Sequence, residues 1–121
     1  MAEYLARHEL ADAATWSSAG TMAIPDDHAT QEAIGVMAAL GIDMTPHRAT
    51  NLDDAQEPTL VFGMELSHLV AARRRFPDIP AGDIRLLDHP KTVPDPYGRG
   101  IEAYRTSLAQ ISEALRGLDL G

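Results

Sequence analysis

A run of four residues, Thr-Leu-Val-Phe at positions 59–62, limits the folds open to this chain more than any other feature. The run is too short for a helix, almost wholly apolar and preceded by Pro58, so we predict a strand buried on both faces. A second short strand is predicted at Ile84–Leu87, and a weaker signal at Thr15–Ser18 predicts a third. Strands buried on both faces are typical of parallel sheets that helices cover on either side.

Segments with helical spacing of apolar residues separate these strands. One helix is predicted at 1–12, and a second follows the Pro25–Asp27 turn and ends at Gly41. Strands that alternate with helices indicate parallel βαβ units, so we expect an α/β three-layer sandwich in a single domain over residues 1–121. The apolar positions of the last three predicted helices are, in order, Ala33, Val36, Met37 and Leu40; Leu66, Leu69, Val70 and Phe76; and Ile101, Tyr104, Leu108, Ile111, Leu115 and Leu118.

Charge and composition exclude several functions. The formal net charge is -8, which opposes binding to a nucleic-acid backbone. The sequence contains no cysteine, so disulfides, zinc-thiolate sites and cysteine nucleophiles are excluded. The five histidines have no metal-ligand spacing, and we expect neither a metal nor another cofactor. No apolar run reaches the roughly 20 residues that span a bilayer, so we expect no membrane association and a cytoplasmic protein.

The loop from Pro90 to Gly100 is the segment in which we expect function. It holds three prolines and two glycines among polar residues. Such loops, held in place by a rigid scaffold, often carry binding and catalytic groups.

Five segments in order along the chain resemble the low-molecular-weight protein tyrosine phosphatase family, which is related to one class of arsenate reductases. Together they extend over nearly the whole sequence. The chain therefore resembles this family and is expected to have its phosphotyrosine protein phosphatase I-like fold. The five segments are Met1-Ala2-Glu3, Ser18-Ala19-Gly20-Thr21, Gly41–Met44 with His47-Arg48-Ala49, Val61–Glu65, and Pro94–Gly98 with Glu102 and Tyr104.

The resemblance also implies roles for individual residues. Asp95 resembles the family's general acid, Tyr97 resembles the aromatic wall of the substrate cleft, and Ser18 and His47 resemble residues that hydrogen-bond to the catalytic phosphate loop. That loop supplies the family's Cys nucleophile and its phosphate-binding Arg, and the resemblance begins only after it, at Met1. Relative to the family, the domain is N-terminally truncated and its first strand is missing.

Three hypotheses stay open from the sequence. The first is a pseudophosphatase, a binding or regulatory family member without phosphoryl chemistry. The second is a truncated or mis-started form of an active tyrosine phosphatase, which an in-frame C-x5-R-[ST]-P motif encoded upstream of Met1 would support. The third is a changed enzyme that uses Asp95, His47 and Tyr97 in the remaining cleft.

The partners expected are a second copy of the chain and a protein or small-anion ligand. In the family's sheet the first strand lies between the segments corresponding to Thr15–Ser18 and Thr59–Phe62. Without it, backbone groups and the apolar side chains of Leu60 and Phe62 would be exposed. Either the two segments close on each other, or another segment fills the gap, or a second molecule covers it; we expect a homodimer.

Overall fold

A computed structural model describes residues 1–118 and 120 of the protein. Helices and short strands alternate along the second half of the chain. Strands β1 and β2 form a parallel pair in which Val61 lies opposite Ile84 and Gly63 lies opposite Leu86. The elements are α1 (Ala2–Glu9), α2 (Gln31–Ala38), β1 (Val61–Gly63), α3 (Leu66–Arg75), β2 (Ile84–Leu86) and α4 (Ile101–Arg116).

Helix α3 connects the two strands and covers one face of the sheet. Its start is fixed by a capping box in which the Glu65 N–H donates to His68 Nδ1 over 3.2 Å. Pro77 follows Phe76, the residue that ends the helix. This side of the sheet has its own buried cluster: Leu69, Ala72, Phe76, Ile79, Ile84 and Leu86.

Helices α1, α2 and α4 cover the opposite face. Phe62 and Met64 pack against their shared core, whereas Val61 packs against the α3 side. Since successive strand residues point to opposite faces, this alternation places β1 between two helical layers. The predicted α/β three-layer arrangement with a short parallel sheet is confirmed. The largest side chains buried in this core include Leu5, Met37, Tyr104, Leu108, Ile111 and Leu115.

The prediction of a strand at Thr15–Ser18 is wrong. Residues 14–19 have no regular secondary structure, and only Gly20 forms an isolated parallel bridge, with Asn51. A strand needs a neighbour that pairs with its peptide groups. Among residues 1–118, no backbone hydrogen bond joins segment 14–19 to β1. This segment therefore forms no strand within residues 1–118.

Helix boundaries also differ from the prediction. Thr30, rather than an Asp of the preceding turn, caps α2, because its Oγ1 accepts the Ala33 N–H over 3.2 Å. Leu40, predicted on the buried face, lies beyond the helix end and is half exposed. On α3, Leu66 and Val70 are exposed, whereas Leu69 is buried as predicted and Ala72 is buried beside it.

The longest helix is α4, with 16 residues. It begins after Gly100, whose φ of 88° falls in the left-handed region that favours glycine. It carries the apolar stripe predicted from Ile101 onwards, although Leu118 lies outside it. In the part of the chain that the structure describes, no helix has both the length and the apolar character required to cross a bilayer.

Candidate functional site

Three polar side chains converge on Glu3, in the first turn of α1. The Ser18 hydroxyl donates to Glu3 Oε1 over 2.5 Å, and Arg7 Nη2 lies 2.6 Å from Glu3 Oε2. His47 Nδ1 lies 4.0 Å from Glu3 Oε1. The Glu3 side chain is only 9% exposed, so this carboxylate is the centre of a nearly buried polar cluster.

Backbone pairing between two loops places Ser18 and His47 beside α1. The Gly20 N–H donates to the Thr50 carbonyl over 2.9 Å, and the Leu52 N–H donates to the Gly20 carbonyl over 3.0 Å. The Asp26 N–H donates to the Ala49 carbonyl over 2.8 Å. These bonds hold the chain after Ser18 against the chain after His47, so both side chains reach the same helix start.

The charge state of His47 follows from its surroundings. Its ring makes an edge-on contact with the Tyr4 ring, with 5.4 Å between centroids. Partial burial lowers the pKa of His47. The negative charge of Glu3 raises this pKa in part, and the positive charges of the N-terminus, Arg7 and Arg48 lower it further. Burial likewise lowers the pKa of the Met1 ammonium, against a raising influence from Glu3. Neutral imidazole is therefore favoured beside this carboxylate.

The Asp95 loop is exposed at its tip and fixed at its base. The Tyr97 N–H donates to Asp95 Oδ1 over 3.0 Å, so the carboxylate stabilises its own turn. The buried Ser107 hydroxyl donates to the Pro94 carbonyl over 3.1 Å. The Val93 N–H donates to the Met64 carbonyl over 2.8 Å, which ties the loop to the end of β1. Tyr97 itself is 72% exposed.

The structure thus brings together two of the four residues predicted for the site. Ser18 and His47 share Glu3, whereas no hydrogen bond, ion pair or ring contact within residues 1–118 joins Asp95 or Tyr97 to them. No group of three or more His, Asp or Glu side chains in the part of the chain that the structure describes could hold a metal ion. Sequence reasoning missed Glu3 as the organising residue. An acidic residue in a first helical turn was the available signal.

A cavity of about 700 Å³ lies between segment 14–21 and segment 56–64, and we call it the interstrand cavity. Its two long sides are these segments, and helices α1, α3 and α4 also contribute to its wall. The two flanking segments have therefore not closed on each other. Its helical lining residues are Ala2, Glu3, Ala6, His68, Ala72 and Leu115.

Comparison with known proteins gives a consistent result. The family model described as low molecular weight phosphotyrosine protein phosphatase matches residues 1–119. A Klebsiella pneumoniae protein described as a low molecular weight protein-tyrosine-phosphatase is 29% identical over 103 residues, which are 81% of this chain and 71% of that protein.

Solved structures are similar over almost the whole chain. The tyrosine phosphatase Wzb from Escherichia coli K30, in complex with sulphate, is 30% identical with a TM-score of 0.84, covering 96% of this chain and 83% of that one. The YwlE arginine phosphatase from Geobacillus stearothermophilus is 25% identical with a TM-score of 0.79, covering 95% and 78% of the two chains.

Proposed function

Because this chain belongs to the low molecular weight phosphotyrosine protein phosphatase family, we propose that it is a pseudophosphatase, which keeps the family fold for binding and performs no phosphoryl transfer. The observation that carries the proposal is the absence of cysteine from its 121 residues. The family's chemistry begins with attack on phosphorus by a Cys thiolate. The Glu3 cluster contains no activated nucleophile that could replace this cysteine.

The arrangement of the remaining groups supports the same proposal. Ser18 donates its hydrogen bond to Glu3, and His47 lies 4.0 Å from Glu3 rather than within hydrogen-bonding distance of Ser18. A serine nucleophile needs an adjacent base that accepts its proton. Asp95, which resembles the general acid, stands apart in its own turn. The changed-enzyme hypothesis therefore has no supporting contact among these residues.

Hydrolysis of p-nitrophenyl phosphate tests the proposal. We expect the purified chain to show no turnover above the buffer rate, because removal of a covalent nucleophile commonly costs a factor of about 10⁶. Asp95→Asn is the matched variant, since it removes the general acid of the family and leaves the turn intact. Turnover in the unaltered chain that disappears in Asp95→Asn would overturn the proposal.

One observation favours a second candidate, in which this polypeptide is part of an active phosphatase. The interstrand cavity lies where the family places a strand, and the E. coli relative extends beyond the 83% that this chain covers. Coding DNA upstream of Met1 provides the test. An in-frame C-x5-R-[ST]-P motif would support this candidate, and a stop codon directly upstream would contradict it.

The remaining expectations are part of the proposal. A small-anion ligand would bind beside α1 with a dissociation constant no tighter than roughly millimolar, since no Arg clamp is present and the chain is acidic. Titration calorimetry with phosphate measures this dissociation constant, and micromolar affinity would contradict the expectation.

A cytoplasmic location stays a prediction that cell fractionation tests. The homodimer stays a prediction that light scattering tests.

A further inference from the structure

The imidazole of His68, in the first turn of α3, accepts two backbone hydrogen bonds at one nitrogen. The Met64 N–H and the Glu65 N–H each donate to His68 Nδ1 over 3.2 Å. A ring nitrogen that accepts hydrogen bonds carries no proton, so the single proton of the neutral ring is on Nε2. Both hydrogen bonds therefore require the neutral imidazole in this one tautomer.

Each of these N–H groups belongs to a peptide unit whose carbonyl binds another part of the chain. The Gly63 carbonyl, in the same peptide unit as the Met64 N–H, accepts the Leu87 N–H over 2.9 Å. The Met64 carbonyl, in the same unit as the Glu65 N–H, accepts the Val93 N–H over 2.8 Å. A peptide unit is planar, with its N–H and C=O pointing in opposite directions, so a bond that fixes one end also orients the other.

His68 is therefore the common support of two contacts that come from different parts of the fold. Leu87 follows β2, and the buried Val93 lies two residues before Asp95, at the base of the Asp95 loop. Hydrogen bonds in series polarise one another, so the loss of one weakens the next. The protonation state of this ring is thus linked to the base of the Asp95 loop through a single peptide unit.

The charged groups around His68 do not hold a protonated ring in this arrangement. Within residues 1–118, no ion pair joins the His68 ring to a carboxylate. Positive charge at the start of a helix is also unfavourable, because it adds to the positive end of the helix dipole. The charged residues of the helix start, of the elements that pack against α3 and of the interstrand cavity that His68 lines are Glu65, Arg85, Asp53, Asp54, Glu3 and Glu57.

We propose that His68 is a pH-sensitive switch between the start of α3 and the Asp95 loop. At neutral pH the unprotonated Nδ1 holds both peptide units, and their carbonyls stay in place for the N–H groups of Leu87 and Val93. Protonation of Nδ1 removes this acceptor, so the corner between β1 and α3 opens and the base of the loop loosens. Imidazole is the side chain that ordinarily changes charge between about pH 5 and 8. The arrangement is complete at the higher pH and is lost as the pH falls.

Amide hydrogen exchange and imidazole 15N spectra of the full chain, from about pH 7.5 to about pH 5, test the inference. We expect Nδ1 of the His68 ring to become protonated as the pH falls. The amides of Met64, Glu65 and Val93 should then lose about tenfold in protection, after correction for intrinsic rates. The Phe76 amide, which donates to the Ala72 carbonyl over 2.8 Å at the other end of α3, should keep its protection.

His68→Gln is the variant that separates protonation of this side chain from its position. Glutamine is a normal third residue of a capping box, and its amide oxygen accepts N–H groups without titrating. We expect the protection of the Met64 and Val93 amides in this variant to be the same at both ends of the pH range. His8→Gln replaces an exposed histidine of α1 and is the matched control, which should keep the full pH response.

Three results would overturn the inference. They are a His68 ring that stays neutral or titrates without a change at the three amides, an equal loss of protection in His68→Gln, and a loss at Phe76 as large as that at Val93. The last result would mean that acid unfolds the whole chain rather than one corner.

The unaltered chain also provides a test that needs no variant, should His68→Gln fail to fold. The pH midpoint of the His68 ring must coincide with the midpoint of the change at the Met64, Glu65 and Val93 amides, and different midpoints would contradict the switch. The inference goes beyond the pseudophosphatase proposal and does not depend on it, because that proposal is overturned only by phosphatase turnover.

Discussion

The two long edges of β1 have different surroundings. On one edge β2 pairs with Val61 and Gly63, and helix α3 connects the strands within 26 residues, from Val61 to Leu86. On the other edge lies the interstrand cavity, and beyond it segment 14–19 has no ladder partner. The helices on both faces extend over both regions. Apolar helices therefore cover both edges of β1, but a strand forms only on the edge where a second backbone can hydrogen-bond to it.

The largest contrast should appear when a buried side chain is removed from the paired region. Ile84 is 1% exposed and packs in the α3 cluster, so Ile84→Ala should lower the free energy of unfolding by about 2–5 kcal/mol. Thr15→Ala is the control on the open side, where an exposed side chain should cost less than about 0.5 kcal/mol. Urea denaturation measures both. Equal losses would mean that the two regions are equally packed.

Hydrogen exchange should separate the two regions without any substitution. The Leu87 N–H, bonded to Gly63, should exchange at least about 100-fold more slowly than the Thr15 and Ser17 amides, after correction for intrinsic rates. Opening of segment 14–19 requires no ladder bonds to break. Strong protection of the Thr15 and Ser17 amides from exchange would show that the interstrand cavity is filled or closed in solution.

A smaller effect is expected where the Asp95 loop joins the paired region. Ser107→Ala removes the buried hydroxyl that donates to the Pro94 carbonyl, and should lower the free energy of unfolding by about 1 kcal/mol. Ser112→Ala, on the same helix and half-buried, is the matched control and should have little effect. Thermal unfolding compares them. A neutral Ser107→Ala would mean that the other hydrogen bonds at the base of the loop, from the Val93 N–H to the Met64 carbonyl and from Gln110 Nε2 to the Thr92 carbonyl, are enough to anchor it.

The smallest expected effect is a pH dependence on the open side. The pKa of His47 in the fold lies below its ordinary value of 6.5, so the unfolded chain binds the proton more readily. Stability from this group is present above that ordinary value and is lost as the pH falls through the lower, folded pKa. His47→Gln should therefore lose less stability between neutral and mildly acidic pH, as urea midpoints would show. A steeper loss in the variant would reverse the sign.

Sequence reasoning predicted the elements that are fixed by local pattern. The predicted run 59–62 contributes Val61 and Phe62 to β1, and the run from Ile84 and the stripe of α4 also appear. A strand covered on both faces leaves a short continuous apolar run, and a helix buried along one stripe leaves a clear periodicity. Ser18 and His47 come together as neighbours of α1, although their proposed roles stay untested. Asp95 and Tyr97 were placed on a loop, where the structure finds them.

The features that could not be predicted depend on partners distant in sequence. Thr15–Ser18 has the composition of a strand, yet its state is decided by the absence of a paired neighbour. Thr30, rather than an Asp of the turn before it, caps α2 because the chain between them makes a bridge between His28 and Arg48. Glu3 gathers Ser18 and His47 from 15 and 44 positions away, a geometry that spacing alone does not encode.

The position of Glu3 has a consequence for any anion that approaches α1. A carboxylate tethered at the start of the helix is an internal competitor, present at a high effective concentration because it is part of the same chain. It already accepts the Ser18 hydroxyl and neutralises Arg7. An incoming phosphate or acidic side chain would be repelled by this carboxylate and would compete with it for Arg7 and Ser18. The helix start thus carries a fixed negative charge, and replacing Glu3 by glutamine would remove that charge while keeping the size of the side chain.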